Sequence, residues 1–91
     1  MAKHLALKEF GTMLKRAREE AGMSQLALGV ELGLGNGQFI SNIERGLRAL
    51  PAKHIHQIAG ALNLSENDLT DHLIRVHALR ISERRIRHDQ H

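Results

Sequence analysis

The chain reads as an all-α domain of five helices, and three observations carry that reading. Apolar residues recur at helical steps of three and four along most of its length, capping and stopping residues fall between those stretches, and only Phe10 and Phe39 are aromatic. A core made from Leu, Ile, Val, Ala and Met suits packed helices. Its 91 residues fit one domain, spanning 1–91. A domain of this size buries only about 60–65% of the surface its unfolded chain exposes, so a second subunit is a physically sensible addition.

Phe10, Leu14, Ala17 and Ala21 form the first stripe, with Lys15, Arg16, Arg18, Glu19 and Glu20 between them, and Gly22 ends that helix. Ser24 then caps a second helix that opens on Gln25, turns Leu28 and Leu32 inward and closes at Gly33. Leu34-Gly35-Asn36-Gly37 has the composition of a turn, because Gly and Asn tolerate positive φ. A third short helix carries Ile40 and Ile43 and stops at Gly46. Pro51 sits where a first helical turn tolerates it, and Ile55, Ile58, Ala59 and Leu62 make the fourth stripe. Ser65 with Asp68 resembles a capping box and opens a fifth helix through Leu69, Leu73, Val76 and Leu79 towards Ile86. The end from His88 to His91 is polar and expected to fray. Ile74 and Ile81 lie about 130° round the axis from that last stripe, a second apolar face left to another subunit. Residues 70–91 therefore read as a C-terminal extension used for dimerisation, with Ile74 and Ile81 at the interface.

Thirteen Lys and Arg, nine of them Arg, against ten Asp and Glu give a net charge of +3, which suits a polyanion partner. The chain has no cysteine, so neither a disulfide framework nor a thiolate metal site holds the fold. No apolar run approaches a membrane span or a signal-peptide core, and a cytoplasmic protein without membrane partner or cofactor is expected.

Several of these residues fall into a known pattern: Arg18 ahead of Ala21-Gly22-Met23-Ser24-Gln25, Leu28, Leu32-Gly33, Ile40-Ser41-Asn42-Ile43-Glu44-Arg45-Gly46, and Leu62-Asn63-Leu64-Ser65 leading into Leu69. From Phe10 to Leu69, about two thirds of its length, the chain resembles the Cro/CI-type (XRE-like) helix-turn-helix transcriptional regulators. The resemblance implies a five-helix Cro/CI repressor-like domain, here with an extended C-terminal helix. Two departures stand out. The turn between Gly33 and the Ile40/Ile43 pair is one residue longer than the commonest family spacing. Position 29, usually Ala in the family, is Gly, at a cost of about 0.5–1 kcal/mol of helix stability. A small residue there is expected to let two helices cross closely.

In such domains the third helix lies in the major groove and its N-terminal residues reach base edges. Here those are Gly37, which offers no side chain, and Gln38, Phe39 and Asn42, the expected base readers. An amide carries a donor and an acceptor that match the adenine edge, and an aromatic edge packs on a thymine methyl. The resemblance assigns phosphate contacts to Gln25, Ser41, Arg45 and Arg48, with Lys53 at the start of the fourth helix. Apart from Glu44, the span from Asn36 to Lys53 carries no acid. Glu44 is expected to pair with Arg18 and tie the recognition helix to the scaffold. The implied function is sequence-specific binding of double-stranded DNA by a transcriptional regulator, a repressor acting as a homodimer on a palindromic operator. The alternative is an antitoxin or other interaction module that carries the same DNA-binding domain and keeps the region after residue 73 unfolded until its partner binds.

Seven histidines invite a metal reading, but their spacing argues against it. His54 and His56 are two residues apart and lie about 200° apart around a helix. His72 and His77 fare no better, and His88 and His91 sit at the terminus with only Asp89 beside them. The glycine-rich turn lacks the GK[ST] of a nucleotide cradle, and glycines at 29, 33, 35 and 37 make a hairpin from Val30 to Ile40 a poor one.

Overall fold

The computed structural model describes residues 2–76; Leu79, Ile81, Ile86 and His77, His88 and His91 lie outside the described residues. Five α-helices fill that span: α1 (Ala2–Glu20), α2 (Gln25–Glu31), α3 (Gln38–Glu44), α4 (Ile55–Leu62) and α5 (66–76). A single 3₁₀ turn, Ala52–His54, leads into α4. Among the described residues there is no strand, and no helix is long and apolar enough to cross a membrane.

The first three helices end alike. At the close of α2, Gly33 takes a φ of 76°, its N–H donates to the Val30 carbonyl and the Leu34 N–H reaches back to Gly29 at 2.9 Å. That pair of bonds satisfies carbonyls the helix leaves free. Gly22 and Gly46 close α1 and α3 through the same two bonds, with Met23 reaching Arg18 and Leu47 reaching Asn42. Asn63 ends α4 differently, at a φ of 55° with its own N–H and that of Leu64 both donating to the Ala59 carbonyl, a stop the apolar pattern does not announce. The starts of α2 and α5 are capped by hydroxyls: Ser24 Oγ accepts from the Ala27 N–H at 2.9 Å and Ser65 Oγ from the Asp68 N–H at 3.3 Å. Pro51 departs from expectation. Its backbone is extended and its carbonyl accepts from the His54 N–H, so it stands just outside a 3₁₀ turn and α4 proper begins four residues later.

Every helix contributes to one core. Phe10 and Leu14 of α1, Leu28 of α2, Ile40 and Ile43 of α3, Ile58 of α4 and Leu69 of α5 are fully buried. The first helix starts well before the stripe that begins at Phe10. Ala6 and Leu7, four and three residues ahead of Phe10, pack with Val76 and Ala49 in a second small cluster that extends the stripe backwards. Gly11 allows α3 to lie against α1: a Cβ there would overlap the Ile43 carbonyl oxygen and come 2.8 Å from the Glu44 carbonyl carbon.

Candidate nucleic-acid interface

The third helix, α3, is seated through one carboxylate. Arg18 of α1 donates from Nε to Glu44 Oε2 at 2.7 Å and from a terminal nitrogen to Oε1 at 3.1 Å, a two-pronged pair. Its other terminal nitrogen donates to the Met23 carbonyl at 2.8 Å. The side chains are 9% and 3% exposed, so the pair is shielded from water. The hydrogen bonds to Glu44 raise the Arg18 pKa above its ordinary value in spite of burial. Gln25 at the start of α2 adds a third arm, donating from Nε2 to Glu44 Oε1 at 3.1 Å. One amide proton of Gln25 is thereby committed to Glu44.

Between α2 and α3 the longer turn folds tightly onto α2. Asn36 Oδ1 accepts from the Gln38 N–H at 3.0 Å and supplies the side-chain cap that Gly37, as N-cap residue, cannot. The neighbour of Gly29 is this turn and not a crossing helix: a Cβ at 29 would overlap the Asn36 carbonyl oxygen and lie 2.8 Å from its carbon. Gly37 is also confined, though less severely, its missing Cβ 2.9 Å from the Gln25 carbonyl carbon and the Leu26 nitrogen. Gly29 and the turn thus meet at one contact, the Asn36 carbonyl standing where a Cβ at position 29 would be.

On the outer side of α3, Gln38 Nε2 donates to Asn42 Oδ1 at 3.0 Å, one turn along the helix. Gln38 is exposed and Asn42 half-buried, so two of the three expected readers form a joined polar pair. The pair leaves an amide oxygen on Gln38 and an amide nitrogen on Asn42 free to bond elsewhere. Phe39 differs from them. Half-buried and packed on the core, its ring meets that of buried His54 edge-on at 6.1 Å, and the Arg48 guanidinium stands 5.1 Å from its centre. His54 in turn places Nδ1 3.2 Å from Gln57 Oε1.

Arg45, Arg48 and Lys53 are exposed, and Ser41 is half-buried. Ile74 is 60% exposed on α5, whereas Leu69 and Val76 of the same helix are buried. His56 is exposed beside Glu66 at 3.2 Å, and no group of three or more potential metal ligands occurs among the described residues. Asn36 and His54 were not singled out as part of this surface by sequence reasoning. Asn36 carried a signal, an Asx residue two before the helix; His54 carried none, because its contacts come from across the chain.

No curated protein matches the chain. A family profile described as helix-turn-helix matches residues 14–69, more than half of it, and spans α2, the turn, α3 and the stretch to Leu69. On that match, with five helices in this order and a recognition helix clamped by Arg18 and Glu44, the chain belongs to the helix-turn-helix family and is a DNA-binding regulator of the Cro/CI, XRE-like type.

Proposed function

We propose that the chain is a transcriptional repressor that binds a palindromic operator as a homodimer, in which 1–91 acts as one DNA-binding domain and 70–91 joins the subunits. The observation that carries this reading is the joined amide pair of exposed Gln38 and half-buried Asn42 on a short helix, with Arg45, Arg48 and Lys53 close by in sequence and exposed. Amide pairs read base edges, and flanking cations hold phosphates without regard to sequence. Phe39 serves the same face more from behind, offering a ring edge fixed by Arg48 and His54. Ser41 and Gln25 complete the phosphate set.

Support for the dimer comes from the exposed Ile74 and from the small contact area of a single module of this size, which a two-fold pair doubles on a palindrome. Selection of bound sequences from random duplex DNA, followed by titration at about 0.1 M salt, tests the reading. The expected result is an inverted repeat bound far more tightly than scrambled DNA. Equal affinity for both would sink sequence-specific recognition, and a selected site without two-fold symmetry would sink the dimeric mode.

A further inference from the structure

We propose that Gly29 is a specificity-determining residue that never meets DNA. Residue 29 sits in the body of α2, where glycine weakens a helix, and the atoms nearest to where its Cβ would be belong to Asn36 and Gly37 of the turn. The absence of a Cβ admits the Asn36 carbonyl, and the turn rests on α2 a second time where Gly37 meets Gln25 and Leu26. From there the chain of contacts is short. Asn36 Oδ1 holds the Gln38 N–H at 3.0 Å, and the Gln38 side chain holds Asn42 at 3.0 Å. A methyl at position 29 forces the Asn36 backbone outward, because a carbonyl cannot swing aside as a flexible side chain can. The cap of α3 moves with it, and so does the Gln38–Asn42 pair. The longer turn and the bare Cα thus set together where the first turn of the recognition helix stands.

This inference rests on α3 as the base-reading helix, and the experiment keeps the two separable. Melting temperature and affinities for a selected operator, its single-base variants and scrambled duplex are measured for the intact chain, Gly29→Ala, Gly29→Ala with Gly35 deleted, and Gln38→Ala. Helix propensity alone would make Gly29→Ala more stable. The steric conflict predicts the opposite sign, a fall in Tm of about 5 °C or more. Discrimination among the single-base variants should fall at least about fivefold, the lower end of what one mismatched base pair is worth. Affinity for scrambled duplex should change less than about twofold, since the phosphate-facing cations are untouched. Deleting Gly35 in the Gly29→Ala background retracts the carbonyl and should restore Tm with a base preference different from that of the intact chain. If Gly29→Ala does not fold, this paired variant carries the test. An unchanged or higher Tm for Gly29→Ala, an unchanged base profile in a folded variant, or a paired variant that recovers nothing would overturn the proposal. An unchanged profile for Gln38→Ala alone would instead remove Gln38 as a reader.

Discussion

The 3.0 Å bond between Gln38 and Asn42 predicts that the two amides do not act independently. Replacing either by Ala should cost about 1–3 kcal/mol of operator binding, and the double substitution should cost less than the sum, with a coupling of at least about 0.5 kcal/mol. Additive losses in a double-mutant cycle would mean that the pair separates before it meets DNA. Arg48 has two separable jobs, as a cation and as the cover of the Phe39 ring. Arg48→Ala should flatten the dependence of log affinity on log salt by about one unit, whereas Arg48→Lys should keep the slope and lose the guanidinium contact with the Phe39 ring. Phe39→Leu should leave the slope intact. An unchanged slope for Arg48→Ala would take Arg48 out of the phosphate set.

Three helices meet at the Glu44 carboxylate, since Arg18 belongs to α1, Gln25 to α2 and Glu44 itself to α3. Removing one member of a buried ion pair typically costs about 3–5 kcal/mol, against about 0–1 for an exposed pair. Glu44→Gln leaves the Arg18 guanidinium buried without its counter-charge, and by the usual scaling for a domain of this size its Tm should fall by more than about 10 °C. Thermal unfolding followed by circular dichroism checks this, and a shift of only a degree or two would show that hydrogen bonding alone suffices. The pH dependence has a definite sign. A raised Arg18 pKa gives stability that is present throughout the neutral range and lost only as pH rises through that raised value, in strongly alkaline solution. Much at this scale was legible beforehand. Gly22, Gly33 and Gly46 announce their stops, Ser24 and Ser65 their starts, and the helix-turn-helix pattern points to Arg18 and Glu44. Asn63 was not read as a stop, and the eight residues before Phe10 were not read as helix, because Ala6 and Leu7 find their partners only at Ala49 and Val76. The seat of the Asn36 carbonyl on Gly29 leaves no trace in any side-chain pattern. It is a backbone contact made possible by an atom that is missing.

For the molecule as a whole, the apolar side chain that stands out on α5 is Ile74, turned away from the core that takes Leu69 and Val76. Sedimentation at micromolar concentration is expected to show a dimer for the intact chain and a shift towards monomer for Ile74→Asp combined with Ile81→Asp. Operator affinity should fall with it, because two recognition helices must span about 34–36 Å to enter successive major grooves on one face of the duplex. A monomeric intact chain, or a double variant that dimerises and binds as before, would place the interface elsewhere. The extension was read from sequence as two apolar stripes on one helix. One of them has its place in the fold at Leu69, Leu73 and Val76, where α5 closes the core.

Besides the clamp on Glu44, α3 is mounted through backbone: its last carbonyls lie on Gly11, and the turn that leads into it lies on α2 at Gly29 and Gly37. A helix gripped in this way lends itself to retargeting, because the mount asks nothing of the two polar side chains that face outward. Libraries varied at positions 38 and 42 alone should stay largely folded while their preferred DNA sequences diverge. Libraries that also vary 11, 29 and 37 should lose most members to misfolding, a contrast that a protease-resistance sort would reveal. On the proposed base-reading role of Gln38 and Asn42, new operators should lie within reach of very few substitutions, whereas positions 11, 29 and 37 should tolerate little change.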